Sequence, residues 1–520
     1  MQSTTPHHHQ PRPSRLLPIE YWTVAGLVAV FALRLLVAGM TPLSADESYY
    51  WQWTRPLQLS YFDHPAMVAY WIWPGIHLLG NTTLGVRFSA VLGGLVTTLV
   101  VWDATRIAFS SRPAGAMAAL WLNAILLFAA AGVIITPDSP LLLCWAIALW
   151  ALIRLITENR ARFIYIAGLA LGLGAISKYT IALILPGICA TFFLFSTLWP
   201  WLRRRHTWLA ALLALVCTTP LVLWNAENNW ASFSKQLGHA FTTEVAHPGM
   251  NLLIFLSGQV GLVTPLIFLF SLWGMAWALL QGWRQNRPEW FLLGATSLPV
   301  LAFFIVHTQS GVVQTHWSGP AYLGGVMAVV GAFLRHPSSH QKPAAQFLTW
   351  AFRAAPILGA AMTLLVYFQA ATALLPLPPK LDALKRLGGW DTLAAAIQTE
   401  RQAHPGSFLF AQKHEPTGPV SFHLTDHPPV FLMGSIRPSY YTGAEVMALK
   451  GHDGIFIARA RDDGVGDIGH YFTRITPLRR VDMLWGGRPA DVYNLYLAEG
   501  YKGGLFIVGN GLNAATDTPR

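Results

Sequence analysis

The stretch ADESYYWQWTRPLQLSYFDHPAMVAYW, residues 45–71, sets Asp46, Glu47, Asp63 and His64 between two long apolar runs. Three further residues have types that could work with them: Arg87 in LGVRFSA, Asp138 in ITPDSPLLL and Lys178 in GAISKYT. Carboxylates next to fixed cations can take a proton from a hydroxyl and hold a phosphate in place. Each residue also has a plainer reading. Asp46, Glu47 and Asp63 could be solvated charges of an interfacial anchor, and Asp138 could be a helix N-cap, which Asp favours. Lys178 could be snorkelling from a helix end, and Arg87 could be a helix-end anchor. Paired carboxylates at a lipid boundary are costly unless they are partnered or used.

The elements that must position these residues are membrane helices. The 520-residue chain is 53% hydrophobic and only 11% charged, against about 25% charged in an average soluble protein. Runs of about 20 apolar residues, long enough to cross a bilayer, recur along it. A pass along the chain gives about eleven spanning segments, with cores near 21–40, 84–107, 114–134, 139–156, 163–176, 181–200, 207–224, 252–280, 291–308, 320–334 and 348–375. The first run has no small-residue cleavage site after it and reads as a retained helix rather than a signal peptide; residues 1–20 form a polar leader.

A formal charge of +11 could indicate a nucleic-acid partner, but its placement argues otherwise. Arg12 and Arg15, Arg106 and Arg112, Arg154 to Arg162, Arg203–Arg205, Arg284 and Arg287, and Arg335 to Arg353 fall in alternate short loops, while the intervening loops hold chiefly Arg55, Lys178 and Lys235. This is the positive-inside pattern. It predicts a cytoplasmic N-terminus and puts residues 45–71 on the outer face. There SYYWQW supplies aromatics of the kind that settle at headgroup level. Cys144, Cys189 and Cys217 sit inside apolar runs, where Cys behaves as a small apolar packing residue.

Composition changes near residue 376. Residues 1–375 carry 20 basic and 10 acidic side chains, and residues 376–520 carry 15 and 14. The tail is opened by LLPLPPK, a breaker run, and reads as a small α/β domain on the outer side. GWDTLAAAIQTERQAHPG predicts a helix, and SFLFAQ, PPVFLM, GIFIARA and DVYNLYLAEG predict strands. No catalytic motif stands out there, and a packing or acceptor-guiding cap is the expectation. The long outer loop WNAENNWASFSKQLGHAFTTEVAHPGMN, with Glu227 and Glu244, reads equally as a substrate loop or a solvated one. His64, His239, His247, His307 and His316 show no tight ligand spacing, so no metal site is assigned and metal dependence stays open.

DESYYWQW…YFDHPAMVAYW, GVRFSAVLGG, TPDSPLLLCWAIALW, GLALGLGAISKYT and LVLWNAENNWASFSKQLG resemble bacterial members of the dolichyl-phosphate-mannose–protein mannosyltransferase-like superfamily, and among them the aminoarabinose-transferase-like glycosyltransferases of families 39 and 83. The resemblance runs in order over residues 20–335; LGGWDTLAAAI and HPGSFLFA extend it weakly into the tail. It implies a GT-C fold and an inverting glycosyltransferase of the bacterial inner membrane. The donor is a sugar on a polyprenyl (undecaprenyl) phosphate, and the acceptor is lipid A, another glycan or a protein. It implies Asp46 as catalytic base with Glu47 beside it. Arg87, Lys178 and His64 become candidates for the donor phosphate. Asp138, Asp63 and Tyr49 become candidates for the acceptor or for supporting the residues that touch substrate. His64-Pro65 is closer to the mannosyltransferase branch, whereas the aminoarabinose branch has a lysine nearby. A transporter or flippase of lipid-linked sugars is the competing reading, although the charges gather at one boundary rather than at the bilayer midplane and no inverted repeat shows.

Overall fold

Apolar runs in this chain become helices whose ends are set by prolines, glycines and polar caps. The computed structural model describes residues 16–241, 247–335, 343–378, 382–433, 441, 443–462 and 464–506. Glu244, Arg12 and Arg15, and the side chain of His239, lie outside the described residues. Eight described helices are long and apolar enough to cross a membrane: Pro18–Met40, Thr83–Ala108, Asp138–Glu158, Arg205–Glu227, Pro265–Arg284, Pro288–His307, Thr315–Arg335 and Pro343–Thr372. A ninth follows if Tyr179–Leu194 and Ser196–Arg203, bent by 97°, form one span. Met67–Leu79, Arg162–Ala175 and Pro248–Val263 are apolar but shorter.

Against the expected count of about eleven, eight or nine described helices meet the length and composition of a span, and three shorter apolar helices stand beside them. The clearest discrepancy is the run 252–280, expected as one span. It breaks at Thr264, whose φ is +71°, followed by Pro265. Proline lacks the N–H that would continue the helix, so two helices replace one.

Close helix packing comes from small residues, as membrane interfaces favour. A Cβ on Gly168 would lie 2.4 Å from the carbonyl oxygen of Ala210, and one on Gly172 would lie 2.6 Å from Cβ of Cys217. The glycines of GLALGLGA thus seat Arg162–Ala175 against Arg205–Glu227. The three cysteines are unpaired.

Beyond Thr372 the chain forms a five-stranded sheet with order β2-β1-β3-β5-β4. Its strands are β1 Phe408–Ala411, β2 Val430–Leu432, β3 Gly454–Arg459, β4 Arg474–Trp485 and β5 Arg488–Glu499. The first three are parallel, while β5 runs antiparallel to β3 and β4 antiparallel to β5. Helix Trp390–Ala403 packs on the sheet through buried Trp390, Leu393, Ala394 and Ile397. All four strands expected in the tail are present; β4 was not expected. It is an edge strand carrying Arg474, Arg479, Arg480 and Asp482, and most of its residues are not buried. Charged edges of this kind resist further pairing and hide the apolar alternation that marks a strand.

The sheet domain and the 41–66 loop share one apolar core. Trp51, Trp53 and Tyr61 of the loop cluster with Phe410, Phe431 and Phe456 of the sheet domain. Trp51 meets Phe422 and His427 edge-on, at 5.1 and 5.2 Å between ring centroids. The SYYWQW aromatics were expected at headgroup level. They are buried instead, because the sheet domain covers the loop and offers them aromatic partners.

Candidate active site

The loop after the first span folds into a short helix, Ala45–Gln52, through a capping box. Ser44 Oγ accepts from the Glu47 N–H at 3.2 Å, and Glu47 Oε2 accepts from the Ser44 N–H at 2.9 Å. This reciprocal cap fixes where Asp46 and Glu47 project. The two acids then part company. Glu47 is fully buried and takes a bidentate pair from Arg87, with Nε–Oε1 and Nη2–Oε2 both 2.7 Å. Its Oε1 also accepts from the Ile135 N–H at 3.1 Å.

Arg87 spends its remaining donors on the carbonyls of Ala38, Thr41 and Pro42 and on Thr41 Oγ1, at 2.5–3.1 Å. A guanidinium has five N–H donors, and here six acceptors of the protein surround them. Arg87 therefore has no donor left for the phosphate expected of it, and Glu47 has no lone pair idle for acid–base work. Together they bolt the end of the first span, the loop helix and the turn before Asp138 onto helix Thr83–Ala108.

Asp138 opens helix Asp138–Glu158 and binds Lys178, both carboxylate oxygens lying 2.8 Å from Nζ. Both side chains are nearly buried. His316 Nε2 stands 3.7 Å from Asp138 Oδ2, and Lys178 lies over the Trp317 ring at 5.5 Å. The Met67 N–H donates to the Ile176 carbonyl at 3.0 Å, which draws the His64 end of the loop toward the Lys178 turn. His64 is close enough to Lys178 and Asp138 to feel both charges; burial, reinforced by Lys178, pushes its imidazole down to about 3. It is neutral at physiological pH, so it brings no positive charge to a phosphate, contrary to the expectation. Its Nδ1 is buried without a hydrogen-bond partner among the described residues.

Asp63 faces another way. Tyr49 Oη donates to its Oδ2 at 2.7 Å, Lys235 pairs with its Oδ1, and Gln236 donates to its carbonyl at 3.0 Å. Tyr49 and Asp63 thus anchor helix Ala231–Phe241, part of the long loop, to the first loop.

Of the four carboxylates gathered here, only Asp46 makes no hydrogen bond or ion pair among the described residues. It is open to a cavity of about 440 Å³ between the loop helix and the sheet domain, lined also by His414, Glu415, Trp390, Arg459 and Tyr493. Its carboxyl is exposed to that cavity yet hemmed in by protein on its other sides. Desolvation raises it above the usual carboxylate range; Glu47 and Glu415 add to the rise, while His414 and His316 oppose it. A carboxylate that is unpartnered, partly desolvated and open to a cavity is placed to accept a proton.

Sequence reasoning missed Lys235, His316 and His414. Lys235 and His316 were seen as lone side chains, and nothing local signals their long-range partners. His414 lies in a tail that shows no catalytic motif. Among the described residues no three His, Cys, Asp or Glu side chains converge as a metal site.

The model for the family described as dolichyl-phosphate-mannose-protein mannosyltransferase matches residues 63–224. The chain resembles that family. Among curated relatives, the lipid A galacturonosyltransferase RgtD of Rhizobium johnstonii is 26% identical over 330 residues, covering 60% of this chain and 66% of that protein. The undecaprenyl phosphate-alpha-4-amino-4-deoxy-L-arabinose arabinosyl transferase of Edwardsiella ictaluri is 26% identical over 281 residues, covering 49% and 47%. The alignments thus span no more than about two-thirds of the first relative and about half of the second. Among solved structures, ArnT from Cupriavidus metallidurans superimposes with a TM-score of 0.64 in its apo state, at 15% identity over 92% of this chain and 98% of that one. ArnT bound to undecaprenyl phosphate gives 0.63, at 16% identity over 96% and 99%. The chain therefore has the ArnT fold, a helical membrane core with a small sheet domain, and its homologues are glycosyltransferases.

Proposed function

We propose that this protein is an inverting membrane glycosyltransferase that moves a sugar from a polyprenyl-phosphate donor to lipid A. The reading rests on one observation above the others: the unpartnered carboxylate of Asp46, open to the 440 Å³ cavity and close enough to His316 of the Asp138–Lys178–His316 cluster to feel its charge. The curated relatives are named as a lipid A transferase and an undecaprenyl-phosphate-sugar transferase, and a structure of the same fold holds undecaprenyl phosphate.

In this reading Lys178, with one N–H beyond the two that Asp138 takes, meets the donor phosphate. The acceptor oxygen enters from the cavity and attacks the anomeric carbon on the face away from the phosphate. The bond from that carbon to the phosphate oxygen breaks, polyprenyl phosphate leaves, and the proton of an acceptor hydroxyl passes to Asp46. The transition state is oxocarbenium-like, as in glycoside hydrolysis, and Lys178 stabilises charge growing on the phosphate. One displacement inverts the anomeric centre, so Asp46 acts as base and not as nucleophile. Glu47 and Arg87 hold the loop, Asp138 holds Lys178, and Tyr49 with Asp63 ties down helix Ala231–Phe241.

The reaction site would face the outer side of the inner membrane, with the sheet domain periplasmic and the N-terminus cytoplasmic. The alternating cationic loops support this: Arg106, Arg112 and Arg154 lie at the bundle end opposite Asp46, where Arg112 pairs with Glu20 and Arg154 with Asp103. The transporter reading has no comparable support, since the relatives are transferases. Purified protein in liposomes, given a radiolabelled undecaprenyl-phosphate sugar and lipid A, should release undecaprenyl phosphate and label lipid A. Donor that crosses the bilayer with its sugar bond intact, and no labelled lipid A, would instead support the transporter.

A further inference from the structure

The cavity at Asp46 has two unlike walls. One is the start of the loop helix, Ser44 to Asp46; the other belongs to the sheet domain and carries Lys385, Arg386 and Arg461. Arg459, also on that wall, is paired with Asp491. Lys385, Arg386 and Arg461 make no ion pair among the described residues. Elsewhere in the domain several cations are matched, Arg401 with Asp426, Lys413 with Asp462 and Arg479 with Glu400, and those that make no ion pair among the described residues, such as Lys450 and Lys502, do not line this cavity. Three unpaired cations on one wall of a cavity, with Glu415 the only unpaired acid described on the same wall, are a site for an anion rather than a solubilising surface.

The wall is also built to stay in place. Lys385 and Arg386 ride on the turn Ala383–Leu387, which Asp382 caps by accepting from the Leu384 N–H at 3.0 Å. Gln369, near the end of the last span, reaches Asp382 Oδ2 at 3.3 Å. The turn ends at Gly388 and Gly389. A Cβ on Gly388 would lie 2.3 Å from the Trp485 ring, and Gly389 has a φ of +84°, which L side chains rarely adopt. The two glycines of LGGWDTLAAAI therefore press the cationic turn against β4. The cavity volume falls within the about 300–1,000 Å³ usual for small-molecule sites.

We propose that this cavity takes the saccharide headgroup of the acceptor, and that Lys385, Arg386 and Arg461 hold a phosphate on that headgroup as a recognition group, distinct from the oxygen that receives the sugar. Arg forks match phosphate oxygens in pairs and Lys adds a point charge, so three such side chains fit a phosphate better than a neutral sugar. The proposal rests on the reading of the protein as a transferase acting on lipid A. Acceptor binding can nonetheless be measured without turnover.

The experiment uses the purified full-length protein without donor, titrated with bisphosphorylated lipid A and with the same lipid A enzymatically dephosphorylated. The wild type should bind the phosphorylated form at least about tenfold more tightly, and added salt should erode that preference, as screening requires. The variant K385Q/R386Q/R461Q should lose the preference while binding undecaprenyl phosphate like the wild type, which shows that it is folded. The control R479Q, on β4 and paired with Glu400, should keep it. A triple variant that keeps the preference, or a wild type that shows none, overturns the proposal. If the wild type binds with the preference but transfers no sugar, the transferase reading fails and this one stands. If it transfers sugar equally to both lipids, only this inference fails.

Discussion

Glu47→Ala would leave the Arg87 guanidinium, 1% exposed, without its carboxylate. Two 2.7 Å charge-assisted bonds disappear, and so do the acceptors of the Ser44 and Ile135 N–H groups. Removing one partner of a buried ion pair costs about 3–5 kcal/mol, because the other charge stays buried and unpaired; the lost cap adds about 1 kcal/mol. The expected result is a large fall in the unfolding midpoint of the detergent-solubilised protein, read by intrinsic fluorescence on heating. The double change Glu47→Met with Arg87→Met removes both charges and should be less destabilised than Glu47→Ala, since buried pairs replaced together by apolar groups often cost little. Arg87→Lys should also be unstable, because a lysine cannot reproduce the fork that reaches both Glu47 oxygens and three carbonyls. A Glu47→Ala protein as stable as the wild type but without turnover would refute this reasoning and return Glu47 to the chemistry.

Four other outcomes follow from the same geometry. Lys178→Ala should raise the apparent KM for the lipid-phosphate donor with less effect on the acceptor; equal effects on both would argue against phosphate contact. The acid limb of kcat/KM should have its midpoint above the about 3.9 of a free Asp, because desolvation raises the Asp46 carboxyl and the base works only when ionised; a midpoint at or below that value would contradict the assignment. His64, depressed to about 3, is neutral across the assay range, so His64→Gln should not change the shape of the profile between about pH 5 and 8, where an ordinary His would titrate. Gly418→Ala places a Cβ 2.6 Å from the Ser48 and Tyr49 backbone, so it should loosen the sheet domain from the loop helix, seen as faster limited proteolysis of the tail.

The helices were legible because crossing a bilayer demands about 20 apolar residues, a signal that needs no tertiary context. Its failures were local: a proline after Thr264 divided a run that hydropathy alone joins. Strands β1, β2, β3 and β5 of the tail read clearly, whereas edge strand β4 did not. In the candidate site, the sequence singled out side chains but not which of them are paired with one another. Asp46 and Glu47 are adjacent acids with the same local pattern; only the fold shows that Glu47 meets Arg87, 40 residues away, while Asp46 faces the cavity. The same limit hid His414 and the cationic wall, which line one cavity with Ser44–Asp46 from more than 300 residues away in sequence. The aromatics of SYYWQW were misplaced at the lipid surface because nothing in that stretch announces the domain that covers it.

The most direct test is Asp46→Asn in purified protein, with donor binding and turnover measured on the same sample. A positioned general base contributes about 10²–10⁴-fold to rate. The variant should therefore bind the undecaprenyl-phosphate sugar like the wild type and release undecaprenyl phosphate in the presence of lipid A at least about 100-fold more slowly. Release within a few-fold of the wild type would contradict the assignment of Asp46 as the base.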